Sequence, residues 1–167
     1  RTNPFHGGYA IACGTDHVLE VIEDYRFTSD DIAYLASLEA PGGGALFDPA
    51  FLDYLSTMEL SVDIDAVREG TVVFPNDPLL RVTGPILQCQ LLETALLNCV
   101  NFETLIASKA ARVCLSADSP VAEFGLRRAQ GEDGGLRASR AAVVGGCAST
   151  SNVLAGKLFN IPVSGTH

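Results

Sequence analysis

The sequence predicts an α/β protein in two parts, with the boundary near residue 118. Short alternating segments and helical segments are mixed in residues 1–118, whereas strands and helices alternate regularly in residues 119–167. Of the 167 residues, 47% are hydrophobic, which is enough for one substantial core. Charged residues make up 19% of the chain and low-complexity tracts are absent, so the composition is typical of a folded protein.

The first sixty residues predict one strand and three short helices. FHGGYAIACG (5–14) is typical of a turn that enters a short apolar strand. Apolar residues at helical spacing then predict helices over residues 16–25, 29–38 and 48–58. Their expected caps are Asp16, Ser29 and Asp48, the last followed by a proline at the first helical position. The many acidic residues of this region are interpreted as solvated helix faces and caps.

Residues 61–117 predict a small antiparallel β unit followed by two helices. Strands are expected at residues 61–67, 71–75 and 79–84, separated by the turns REG and NDP. ILQCQLLETALLNCV (86–100) is hydrophobic nearly all round, which indicates a buried helix. Asn101 is expected to cap a second helix over residues 101–117.

After residue 120 the pattern indicates a β-α-β-α-β series and therefore a parallel sheet or barrel. VAEFGLRR (121–128) and IPVSGT (161–166) are predicted strands, with helices after DGG and over TSNVLAGKLFN. CAST (147–150) is interpreted as a short apolar link. Ligands of parallel sheets bind at the carboxyl ends of the strands, and both RRAQG and the terminal SGTH fall at such ends.

Arg127 and Arg128 are the first candidate binding residues. Guanidinium groups bind phosphate or carboxylate through paired hydrogen bonds, and the neighbouring glycines allow close approach of the backbone. The alternative is that both arginines pair with Glu123, Glu132 and Asp133 and only tie down a loop. The spacing leaves these two interpretations open. Phe124, on the same predicted strand, is by pattern alone a core aromatic residue.

Charge and cysteine content exclude several classes of function. The net charge is −9, and residues 1–70 alone carry 13 acidic and 3 basic side chains, which argues against nucleic-acid binding. No apolar run is long enough for a bilayer. The 5 cysteines are scattered among apolar residues without a metal-binding spacing, so we expect buried free thiols in a cytoplasmic protein and no metal site.

Several motifs resemble the nicotinate phosphoribosyltransferase family of type II phosphoribosyltransferases. The matching stretches are NPFHGGYAIACG, PLLRVTGPILQCQLLETALLN, NFETLIASKAARV and EFGLRRAQGEDGGLRASRAAVVGGCASTSNVLAGKLFNIPVSGTH. The resemblance implies an α+β domain with sandwich character over residues 1–118, beside the start of an irregular α/β barrel over residues 119–167. It also implies that the protein is typically a homodimer.

The resemblance implies a reaction as well. Nicotinate and phosphoribosyl pyrophosphate give nicotinate mononucleotide and pyrophosphate, with coupled ATP hydrolysis that needs Mg²⁺, in NAD salvage. No bound prosthetic group is implied. The alternatives are a sibling transferase for nicotinamide or quinolinate, and a catalytically silent binding module.

The resemblance assigns roles to five residues. Phe124 matches a ring-stacking position, and Arg127 matches an arginine beside the pyridine ring and the ribose 5-phosphate, with Arg128 nearby. Thr166 matches a nicotinate-contacting position, and His167 stands where amide-specific relatives carry Asp, which favours the acid substrate. No catalytic residue is assigned, because the family's phosphorylated histidine falls two positions after His167. We therefore expect the 167 residues to be a fragment that is inactive by itself.

Overall fold

The computed structural model describes residues 7–165 of the chain. Within that range the helices are α1 (Thr15–Glu23), α2 (Ser29–Ala36), α3 (Pro49–Thr57), α4 (Ile86–Ser116), α5 (Gly131–Val144) and α6 (Val153–Phe159), with a short 3₁₀ turn at Leu126–Arg128. The strands are β1 (Ala10–Ile11), β2 (Asp63–Ala66), β3 (Val72–Val73), β4 (Leu80–Thr83), β5 (Ala122–Glu123) and β6 (Ser149–Thr150). None of these helices combines the length and apolar character that crossing a membrane requires.

The antiparallel strands form two separate pairs. β2 pairs with β4, with Ile64 opposite Val82. β3 instead pairs with β1, with Ala10 opposite Val73. The prediction of one antiparallel unit from three consecutive strands was therefore wrong. Alternation of apolar residues indicates which face of a strand is buried, but it does not specify which strand lies alongside.

α4 is one continuous helix of 31 residues. The predicted restart at Asn101 was wrong, because the backbone stays helical there while buried side chains continue along one side of the helix. The prediction that residues 86–100 are buried all round was also wrong. Leu92 and Leu96 are buried, but Ile86 is 71% exposed and Leu97 is 47% exposed, so the other side of α4 is an uncovered apolar face.

The caps of the short helices agree with the sequence in one case and differ in two. Asp48 caps α3 by accepting a hydrogen bond from the Ala50 amide at 2.8 Å, as predicted. α2 is capped by Thr28 rather than Ser29. The N-cap of α1 is Gly14 rather than Asp16. A glycine is needed at this position because φ is positive, at 102°, and because a Cβ would lie 2.8 Å from the carbonyl oxygen of Cys99.

The core is organised around α4. On one side the helix packs against α1 through a buried cluster whose members are Val18, Leu92, Leu96 and Cys99. On another side it packs against β1 and α5 through a cluster formed by Ile11, Cys13, Ala107, Ala111 and Ala141. Gly145 lies so close to the Ala107 carbonyl that a side chain would not fit there. Residues from both predicted parts of the chain therefore pack together in the second of these clusters.

The C-terminal part has the predicted parallel order, with two local differences. β5 pairs parallel with β6, and Thr150 forms a further parallel bridge to Val163. The middle strand is Ser149–Thr150, within the segment that was interpreted as a link. The predicted strand over residues 121–128 ends at Glu123, because the chain then enters the 3₁₀ turn. The mixed fold of helices with a parallel sheet confirms the predicted α/β class.

Candidate functional site

The candidate site is built on the turn Gly125–Arg128, which we call the arginine turn. It lies at the carboxyl end of β5 and just before α5. Two backbone hydrogen bonds close it: the Arg128 amide donates to the Gly125 carbonyl at 2.8 Å, and the Ala129 amide donates to the Leu126 carbonyl at 3.1 Å. The tight turn sends both arginine side chains outward, where they are exposed.

Neither arginine of this turn has an ion-pair partner among residues 7–165. Glu123, a predicted partner, instead accepts hydrogen bonds from the hydroxyl groups of Thr150 and Ser139. The alternative interpretation, in which the arginines pair with nearby acidic residues and only tie down a loop, was therefore wrong. Two free guanidinium groups at a strand's carboxyl end are available for paired hydrogen bonds to a phosphate or carboxylate.

Phe124 lies on the strand side of the arginine turn and is 39% exposed. The interpretation of Phe124 as a core aromatic residue was wrong, since its ring belongs to none of the four buried clusters of the described residues. A partly exposed aromatic ring that directly precedes the arginine turn in the chain can stack on a planar ligand.

The second predicted strand end also reaches this edge of the sheet. The Ser164 amide donates to the Thr150 carbonyl at 3.0 Å, and the hydroxyl groups of Ser149 and Ser164 lie 2.6 Å apart. The structure thus places Ser164 next to β6, as the parallel series predicted. Thr166 and His167 lie outside the described residues.

A second group of charged residues, which the sequence reasoning missed, lies between α1, α4 and α5. Arg140 of α5 forms ion pairs with Asp16, with Glu69 at 2.6 Å and with Glu103 at 3.4 Å. Glu103 is fully buried and also contacts the His17 ring nitrogen Nδ1 at 2.9 Å. We call these residues, together with Arg137 and its partner Glu20, the ion-pair network.

The ion-pair network alters the protonation of its members. Burial opposes ionisation of Glu69, but hydrogen bonds and charge attraction from Arg140 outweigh it and lower the pKa of Glu69. Burial raises the pKa of Glu103, although His17 and Arg140 partly offset this effect. Asp16 and Glu20 remain exposed, at 63% and 52%, as the interpretation of solvated helix faces predicted, but both also form ion pairs in this network. The excess of acids in residues 1–70 was the signal that could have indicated partners elsewhere in the chain.

Cys13, Glu69 and Glu103 place three potential metal ligands within 4.8 Å of one another. The Arg140 guanidinium already neutralises the two carboxylates and would repel a cation. Burial, the largest cause, also raises the pKa of the Cys13 thiol well above its usual range, so the thiolate that metals prefer is disfavoured. The cluster is therefore explained by ion pairing. Three cysteines, Cys13, Cys99 and Cys147, are buried free thiols as expected, whereas Cys89 and Cys114 are half-buried.

By fold and site, the chain is an α/β protein that exposes two arginine side chains just after the carboxyl end of a parallel strand. The family model of the nicotinate phosphoribosyltransferase N-terminal domain matches residues 1–101. The chain is 45% identical over 170 residues to nicotinate phosphoribosyltransferase from Caenorhabditis elegans, covering 100% of this chain and 30% of that protein. It therefore belongs to the nicotinate phosphoribosyltransferase family.

Solved structures give the same assignment. The crystal structure of human nicotinic acid phosphoribosyltransferase matches with a TM-score of 0.87 and 44% identity, over 98% of this chain and 33% of that one. Nicotinate-nucleotide pyrophosphorylase from Pyrococcus furiosus shares the fold, with a TM-score of 0.69 and 24% identity over 98% of this chain and 33% of that one. The chain thus spans about a third of the length of these proteins.

Proposed function

We propose that the full-length protein containing this chain is a nicotinate phosphoribosyltransferase. In this reaction the pyridine nitrogen of nicotinate forms a bond to the anomeric carbon of phosphoribosyl pyrophosphate, and the bond from that carbon to pyrophosphate breaks. The observation that carries the proposal is the arginine turn. In a chain of this family, two exposed guanidinium groups stand just after a strand's carboxyl end and have no ion-pair partner within residues 7–165.

The proposed roles follow from the resemblance to the family and are compatible with the chemistry of the side chains. Arg127 binds the 5-phosphate of the ribosyl donor, and Arg128 contributes a second positive charge nearby. Phe124 stacks on the pyridine ring. Thr166 and His167 contact nicotinate, where a histidine tolerates the carboxylate that an aspartate would repel. Binding the donor phosphate and the ring in one orientation lowers the entropic part of the barrier.

Further properties belong to the same proposal. ATP hydrolysis with Mg²⁺ is coupled to the transfer, the protein is a cytoplasmic homodimer, and the product feeds NAD synthesis. The division of the chain near residue 118 corresponds to the end of one domain and the start of a barrel, and neither nucleic acid nor membrane is a partner. The 167 residues alone are expected to be inactive, because they correspond to about a third of the human structure.

A comparison of the reaction rates with three pyridine acceptors tests the proposal. The full-length protein should release pyrophosphate from phosphoribosyl pyrophosphate in the presence of nicotinate, and much more slowly with nicotinamide or quinolinate. Preference for one of the other two acceptors would identify a sibling transferase. Binding of phosphoribosyl pyrophosphate without turnover of any acceptor would identify a binding module and contradict the proposed activity.

A further inference from the structure

Glu123, the last residue of β5, has a carboxylate that is fully occupied by hydrogen bonds inside the protein. Its Oε1 atom accepts a hydrogen bond from the Gly125 amide, the first residue of the arginine turn. Its Oε2 atom accepts from the Thr150 hydroxyl at 2.7 Å and lies 3.2 Å from the Ser139 hydroxyl, whose single proton is shared with the Gly135 carbonyl at 2.9 Å. One side chain thus connects the turn to β6 and to α5.

The partners of this carboxylate are themselves buried and fixed. Thr150 is 0% exposed and Ser139 is 1% exposed. The Asn152 side-chain amide donates to the Ser139 hydroxyl at 3.2 Å, and the Asn152 backbone amide donates to the Thr150 hydroxyl at 3.1 Å. Because buried polar groups without partners are costly, this arrangement holds the Glu123 carboxylate in one position.

The arginine turn also fits closely against its surroundings. A Cβ at Gly125 would lie 2.8 Å from the Oε1 atom of Glu123, so a larger residue there would require the carboxylate to shift. A Cβ at Gly135 would lie 2.6 Å from the Cδ1 atom of Leu126. The turn is therefore held at its first residue by Glu123 and at its second by α5.

We propose that Glu123 is the positioning residue of the arginine turn, and that it sets where Arg127 meets the phosphate of the ribosyl donor. This inference rests on the proposed function. Glu123 does not touch the substrate in this role; it acts through the Gly125 amide. Both carboxylate oxygens accept hydrogen bonds from inside the protein, which fits a positioning role.

Two conservative substitutions distinguish a positioning role of the Glu123 side chain from a role of its negative charge. Glu123→Gln keeps the length of the side chain: its oxygen can accept from Gly125, and its amide can donate to the Thr150 hydroxyl, which can act as donor or acceptor. Glu123→Asp keeps the charge but is one methylene shorter, so it cannot reach Gly125 and Thr150 together. Positioning predicts that Gln is tolerated and Asp is not.

The experiment measures steady-state kinetics of the full-length protein with phosphoribosyl pyrophosphate as the varied substrate. Glu123→Asp should raise KM for this substrate about 10- to 100-fold, the usual cost of a misplaced binding group, whereas Glu123→Gln should stay close to the wild type. In an Arg127→Ala background, Glu123→Asp should add little, because its effect acts through that arginine. Ser139→Ala is the matched control, since it removes one hydrogen bond to Glu123 without touching Gly125.

Each contrary result has a distinct meaning. If Glu123→Gln is as harmful as Glu123→Asp, the charge itself matters and the positioning role is wrong. If Glu123→Asp and Arg127→Ala multiply in effect, the two residues act independently and the inference is likewise overturned. If Arg127→Ala leaves KM unchanged, the phosphate role in the proposed function fails, and the inference fails with it. Thermal unfolding of each variant separates these outcomes from loss of the fold.

Discussion

Two pairs of arginines, nine to thirteen positions apart in the chain, have opposite surroundings. Arg127 and Arg128 are exposed and have no ion-pair partner among residues 7–165, whereas Arg137 and Arg140 are largely buried in the ion-pair network. The first pair is on a 3₁₀ turn at the sheet edge, and the second faces α1 and α4 from the middle of α5. The same type of side chain is thus proposed to bind a ligand in one place, whereas in the other it joins α5 to α1 and α4.

This difference indicates where a change should affect activity and where it should affect stability. An exposed guanidinium group without a partner contributes little to the folded state, so its removal should spare folding. A buried guanidinium group that neutralises carboxylates cannot be removed without leaving those charges uncompensated. The predictions below test that separation in order of expected effect.

Arg140→Ala should produce the largest loss of stability. It would leave the buried Glu103 with only His17 as a partner and would remove the guanidinium from Glu69, and such a loss typically costs about 3–5 kcal/mol. Chemical denaturation of the purified protein measures this change. The double variant with Arg140→Met and Glu69→Gln is the control and should recover part of the loss; no recovery would argue that packing, rather than charge, dominates.

Arg127→Ala should produce the largest loss of activity and leave the fold intact. Removing the guanidinium that binds the donor phosphate should lower kcat/KM for phosphoribosyl pyrophosphate by about 100-fold or more in the full-length protein, with an unchanged unfolding midpoint. Lys157→Ala, which removes a positive charge from α6, is the matched control and should have little effect. A large loss of stability in Arg127→Ala would contradict the expectation that the exposed arginines affect activity and the buried arginines affect stability.

The contribution of Glu69, a member of the ion-pair network, to the free energy of unfolding should depend on pH. Its pKa in the folded state is lowered, so ionised Glu69 contributes stability above its unfolded pKa near 4.5, and this contribution is lost as the pH falls through the folded value. Glu69→Gln should therefore be less stable than the wild type at pH 7, and the gap should narrow below about pH 4.5. Unfolding free energies at several pH values measure the gap; a constant gap would contradict the ionic role.

Arg137→Ala should have the smallest effect. Its partner Glu20 is 52% exposed, so solvent screens this ion pair and its removal should cost only about 0.5–1 kcal/mol. The measurement is the same denaturation curve used for Arg140→Ala. A loss as large as that of Arg140→Ala would show that the network is stabilised as a unit rather than mainly by Arg140.

Local sequence signals predicted the parts of the structure that depend on near neighbours. The Asp48 cap of α3 and the end of α5 at Gly145 were correct, because caps and helix ends involve residues a few positions apart. The parallel order of the C-terminal strands followed from the regular alternation of strands and helices. The arginine turn was located from its motif, although it forms a 3₁₀ turn and not the end of a strand.

Contacts between distant residues were not predictable in the same way. Asn101 was expected to begin a helix, but tertiary packing on both sides of that position keeps α4 continuous. Likewise, β3 pairs with β1 across some sixty residues, and no local pattern specifies that partner.

The sequence by itself determined the α/β class, most helices and the family, since these depend on periodicity and motifs within short stretches of the chain. Only the tertiary structure decided which arginines are free and which are neutralised. Arg140 meets Asp16, Glu69 and Glu103 from positions far apart in the chain, and an ion pair depends on distance and burial rather than on residue type. The same holds for Glu123, whose carboxylate was expected to pair with the arginines but instead holds their turn.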